Sequence, residues 1–137
     1  VFALSAVGRP CVPYMVDLLA DKDWSLRAAA ADVLADLGAI ASDTVPQLTR
    51  ALNDESEWVR RNAVEALGNI GPAAAEAVPA LTQRLQDDES WVRHNAAMAL
   101  AKIGPAAAEA VPALKKNIED DDYVGANAAM ALERINT

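Results

Sequence analysis

A single cysteine, Cys11, and a single histidine, His94, stand in 137 residues. One thiol excludes an internal disulfide framework and any metal site built from several cysteines. One imidazole removes most His-based metal and catalytic schemes. Aromatic residues make up only 4% of the chain, so a core must be built from Ala, Leu, Val and Ile. Positive charge is scarce: 12 Lys and Arg face 20 Asp and Glu, for a net charge of −8. A general nucleic-acid binder is therefore disfavoured, because phosphate contact needs a basic surface. An 18-residue apolar run that would insert in a membrane is lacking, and no signal peptide is legible. The first residue is Val rather than Met, so the compartment stays open, with the cytoplasm as default. What the chain does hold is 53% hydrophobic and 23% charged residues, the composition of a folded chain of one-domain length. Its alanine-rich texture favours helices.

An internal repeat organises the whole sequence. Val-Pro recurs at Val12-Pro13, Val45-Pro46, Val78-Pro79 and Val111-Pro112, each step being 33 residues. Leu26-Arg27, Val59-Arg60 and Val92-Arg93 keep the same step, as do Leu34, Leu67 and Leu100, with Leu132 one residue early. Each unit reads as two helices. The first carries Val-Pro and then apolar residues at helical spacing, such as Val78, Leu81 and Leu85. The Pro either starts that helix, where its missing N–H matters least, or marks a kink if Pro72 to Ala77 is helical too. An acidic turn follows, whose side chains suit the N-terminus of the second helix. That helix is expected over Trp58 to Ile70 and Trp91 to Ile103, with Val59, Ala63, Ala66, Leu67 and Ile70 on its core stripe. Gly38, Gly71 and Gly104 should end it in a left-handed conformation.

One repeat domain is expected over 1–137, with repeats at 8–38, 39–71, 72–104 and 105–137. Residues 1–7 match the end of a second helix, stopped at Gly8. The chain thus reads as opening inside a repeat, with further repeats upstream and a place in a larger polypeptide or complex.

The run Val45-Pro46-Gln47-Leu48, Asp54, Val59-Arg60 and Ala66-Leu67-Gly68-Asn69-Ile70-Gly71 resembles the HEAT-like repeats of the short bacterial type found in phycobilin lyase subunits and bacterial scaffolds. The resemblance implies an all-α, right-handed α-solenoid of antiparallel helix pairs, armadillo-like, with the second helices lining the concave side. It also implies a structural ladder between repeats, from Asp21, Asp54 and Asp87 to Arg27, Arg60 and Arg93, which should stop at Gly125. Deoxyhypusine hydroxylases, another HEAT-like branch, hold a di-iron site on paired His-Glu motifs. With His94 alone and no His-Glu dipeptide, this chain implies no such metal and no cofactor. Cys11 reads as a small, buried or half-buried residue before a helix rather than a nucleophile or chromophore-carrying thiol.

One surface pattern rises above the repeat. The second helices carry an aromatic residue and, four positions on, Asn: Trp58 and Asn62, Trp91 and Asn95, Tyr123 and Asn127. Such pairs share a helix face. The same stripe continues through Glu65, Met98 and Met130, then Asn69, Lys102 and Arg134, with His94 beside Trp91. Asn can donate to and accept from a peptide backbone, Trp and Tyr are favoured anchors, and Met adapts to varied partners. The spacing is similar to the peptide-binding array of armadillo importins. Two roles are open to it: a concave groove for a protein or extended peptide, or packing across the seams between repeats. Glu55, Glu57, Glu65, Asp88 and Glu89 would favour a neutral to basic partner. The expected function is a non-catalytic interaction scaffold. The alternatives are a lyase-like or other enzyme-associated module, and a structural spacer or assembly subunit.

Overall fold

The structure is a computed structural model. It describes the backbone of residues 2–119 and 122–136, and the side chains of residues 10–119 and 124–136. Eight α-helices follow one another among these residues: α1 (Phe2–Leu18), α2 (Trp24–Leu37), α3 (Val45–Ala51), α4 (Glu57–Ile70), α5 (Val78–Arg84), α6 (Ser90–Ile103), α7 (Val111–Asn117) and α8 (Asp122–Ile135). Three 3₁₀ segments, Gly38–Thr44, Gly71–Ala77 and Gly104–Ala110, join one repeat to the next.

The second helices α2, α4, α6 and α8 lie side by side, and α3, α5 and α7 each pack on the second helix that follows. The repeat anchors fill the space between these two layers. Leu34, Leu67 and Leu100 are fully buried, and so are Leu48, Leu81 and Leu114 from the short helices. With so few aromatics the core is made of Leu, Val and Ala, and the alanines let neighbouring helices approach closely. The core is accordingly one continuous stack, as expected where each repeat buries its apolar face against the next.

Both options for the Val-Pro step contribute. Pro46, Pro79 and Pro112 sit in the first turn of α3, α5 and α7, where no N–H is missed. The preceding segment is helical as well, but of the 3₁₀ type and kinked at Ala41, Ala74 and Ala107. The three glycines end α2, α4 and α6 with φ of 56°, 78° and 77°. Their ψ values of −127°, −143° and −143° correct the expected left-handed helical cap: the backbone lies in the mirror-extended region that only glycine enters readily. Each glycine N–H still bonds the carbonyl four residues back, so the helix closes normally before the chain swings away.

Three other expectations are corrected. α1 runs without a break through Gly8, Pro10 and Pro13, and Cys11 lies inside it, half-buried against the core. The shorter connection at 9–11 has too few residues for the seven-residue 3₁₀ segment that separates the other helices. The acidic turn caps by its side chain at α2, where Asp23 accepts the Ser25 N–H. At α4 and α6 the caps Ser56 and Glu89 make no such bond. Instead Asp54 and Asp87 accept the N–H of Ser56 and Glu89 two residues on. Finally, Ser90–Asn117 is long and apolar enough, by length and composition alone, to cross a membrane, with a mean hydropathy of 1.2 over its best window. It is not one rod: Gly104 breaks it between α6 and the 3₁₀ segment, and half of that window is buried in the stack.

Candidate interaction groove on the second helices

The acidic turns and the arginines behind them fix how one second helix sits on the next. Arg27 Nε and Nη2 donate to the two oxygens of Asp54 at 2.8 and 3.0 Å, while its Nη1 donates to the carbonyls of Asp21 and Lys22. Arg60 repeats this with Asp87, at 2.9 and 3.1 Å, and with the carbonyls of Asp54 and Glu55. Each Arg therefore clamps its own turn and the Asp of the following repeat, a bidentate geometry that suits guanidinium. Arg93 bonds the carbonyls of Asp87 and Asp88; the turn beyond it includes 120 and 121, outside the described residues. Burial raises the Asp87 carboxyl, but the hydrogen bonds from Arg60 and the Glu89 N–H, with the charges of Arg60 and Arg84, outweigh it and hold its pKa below the usual range. Arg27 and Arg60 are held above theirs, first by the hydrogen bonds to Asp54 and Asp87. Glu89 is raised, first by its hydrogen bond with the Glu57 carboxyl.

With the helices so registered, Trp58 and Trp91 stand in the first turns of α4 and α6, 47% and 55% exposed. Arg61 lies between them. Its guanidinium carbon is 5.5 Å from the Trp58 ring centroid and 5.3 Å from that of Trp91. Trp91 meets His94 edge to face, with centroids 5.9 Å apart and planes at 85°. Between α4 and α6 runs a groove of about 210 Å³, lined by Arg61, Glu65, Trp91, Asn95, Met98 and Lys102 among others. Its floor is a helix contact made possible by Gly68, where an added Cβ would come within 3.0 Å of the Ala99 Cα.

The amides divide. Asn62 donates to the Ala28 carbonyl on α2 at 2.9 Å, and Asn127 hydrogen-bonds the His94 ring at Nδ1. These two hold neighbouring repeats together. A mid-helix carbonyl has a second lone pair to offer, and alanine at position 28 leaves it accessible. Asn69 likewise donates to the Ala35 carbonyl and accepts from Lys102. Asn95, half-buried in the groove wall, makes no side-chain hydrogen bond among the described residues. Glu65 is exposed, whereas Met98 and Met130 are half-buried, Met130 against the core. The Tyr123 side chain lies outside the described residues. Arg61 escaped the sequence reading. Its place one turn after Trp58 was legible, but its approach to Trp91, 30 residues away, required the stack.

Family models of HEAT repeats match residues 1–63 and 45–133. The chain belongs to the HEAT-repeat family. No curated protein matches it. Among solved structures, this HEAT solenoid is similar to an engineered protein at a TM-score of 0.81 and 30% identity, over 90% of this chain and 62% of that one. A designed armadillo repeat protein in complex with the peptide (KR)4 matches at 0.80 and 26% identity, over 89% and 63%. The complex of CpcE and CpcF of phycocyanin lyase from a Nostoc species matches at 0.79 and 23% identity, over 95% and 85%. The chain thus spans less than two thirds of the first two.

Proposed function

We propose that this HEAT solenoid is a non-catalytic interaction scaffold that binds a protein or extended peptide along the face of its second helices. The observation that carries the reading is half-exposed Trp91 in the wall of a groove between α4 and α6, with Trp58, also half-exposed, on the other side of Arg61. An exposed indole is a poor choice for packing alone and a good binding anchor. The designed armadillo protein's complex with (KR)4 supports the reading by likeness of fold. Trp58 and Trp91 are the anchors, Tyr123 extends the stripe in sequence, and Asn95 is the amide available to a peptide backbone. Asn62 and Asn127 position the helices rather than clamp the ligand. Glu57 and Glu89 at the helix starts favour neutral to basic residues at that end of the partner. The lyase-like alternative rests on likeness of fold alone.

The test is retention of a random, extended-peptide library on immobilised protein, compared with Trp91→Ala. Selected peptides should lose at least about tenfold in affinity, or about 1.4 kcal/mol. The urea unfolding midpoint should change little, because the ring is more than half exposed. A loss of stability that matches the loss of binding would make Trp91 a packing residue.

A further inference from the structure

Arg61 differs from the arginines that build the ladder. Arg27 and Arg60 each end on a carboxylate. Arg61 ends between two indoles, and among the described residues it makes no hydrogen bond or ion pair; its Nε is buried without an acceptor. Glu65, one helical turn on and exposed, does not pair with it. Stacking between Trp58 and Trp91 stabilises the guanidinium through the ring faces, yet leaves its in-plane donors unanswered. It also fills the slot where a lysine or arginine of a bound peptide would otherwise stack. At the other side of the groove Lys102 is held by the neutral Asn69 oxygen at 2.8 Å, so its charge is not cancelled there.

We infer that the open Nη edge of Arg61, held between Trp58 and Trp91, takes an acidic side chain, Asp or Glu, from the bound extended segment, with its carboxylate on the guanidinium and its methylenes against the outer edges of the rings. The inference rests on the groove reading above and names the residue the groove selects. The net charge of −8 acts only weakly from beyond roughly 8 Å at physiological ionic strength. Glu57 and Glu65, one helical turn to either side of Arg61, oppose an acidic side chain, and direct contact with the guanidinium offsets them. Glu57 and Glu89 lie at the helix starts, where they suit basic residues flanking the acidic one. Bidentate recognition of a carboxylate is what a preorganised guanidinium does best.

The experiment uses the chain as it stands and three acetylated, amidated heptapeptides, Ala-Lys-Leu-X-Leu-Lys-Ala, with X as Glu, Gln or Lys. Binding is read by tryptophan fluorescence. The Glu peptide should bind at least about tenfold more tightly than the Gln peptide, a charge-assisted gain, and the Lys peptide most weakly. In Arg61→Gln, checked as helical by circular dichroism, the Glu preference should collapse. A Glu peptide bound no more tightly than the Gln or Lys peptide overturns the inference while the groove stands, as does a preference that survives in folded Arg61→Gln. No binding of any of the three overturns the groove reading with it. The wild-type ranking alone decides the inference if Arg61→Gln does not fold.

Discussion

Asp87 is the more deeply buried of the two carboxylates in the Arg–Asp clamps. Its side chain is 2% exposed and accepts from Arg60, Arg84 and the Glu89 N–H. Removing one partner of a buried pair is costly because the other charge stays behind. Asp87→Asn should therefore cost roughly 3 kcal/mol by urea unfolding at neutral pH. The pH dependence has a definite sign. The folded-state pKa of Asp87 lies below its unfolded value near 3.8, so its contribution is complete above that value and is lost as pH falls through the folded pKa. Wild-type stability should drop on acidification below about pH 4, and Asp87→Asn should flatten that limb. Glu89, raised by Glu57, acts in the opposite direction, but at the surface its effect is screened. The residue types of the ladder were legible from their 33-residue step. The bond register, Arg27 to Asp54 and Arg60 to Asp87, was not, because it depends on how far one turn overhangs the next.

At the scale of elements, helix ends were the best-marked feature of the sequence. Observed bounds lie within one residue of those expected for α4 and α6, since glycine, acidic turn and Val-Pro each limit the backbone locally. The conformation of the stop was not marked: positive φ was implied, the extended ψ was not. Gly104 isolates this effect, as no atom lies within 4 Å of a Cβ added there. Gly104→Ala should cost about 1–3 kcal/mol from backbone strain alone, read as a lowered urea midpoint with unchanged helix content. Gly68 and Gly125 stand inside α4 and α8 rather than at their ends. Both are packing glycines: a Cβ at 125 would lie 2.7 Å from the Ile118 carbonyl oxygen. Two helices in close approach are not visible from either strand of sequence alone.

Across the molecule, repeats touch mainly their neighbours, and the segments from Gly71 to Leu81 and Gly104 to Leu114 are identical. Deleting residues 72–104 keeps that junction intact. The shortened chain should remain helical and unfold cooperatively, with a smaller urea m-value because less surface is exposed on unfolding. Circular dichroism and a urea titration check this; a chain without helix would show coupling beyond nearest neighbours. The 33-residue period by itself determined the all-α repeat architecture, the helix ends and the residues that share a face, because these follow from local propensity and helical spacing. Only the tertiary stack decided what those faces meet. It put Asn62 on the Ala28 carbonyl, Asn127 on His94 and Arg61 between two tryptophans. Spacing within one helix sets direction, but contact across repeats depends on the distance and offset between helices, and those are fixed by alanine and glycine packing and by the Arg–Asp clamps.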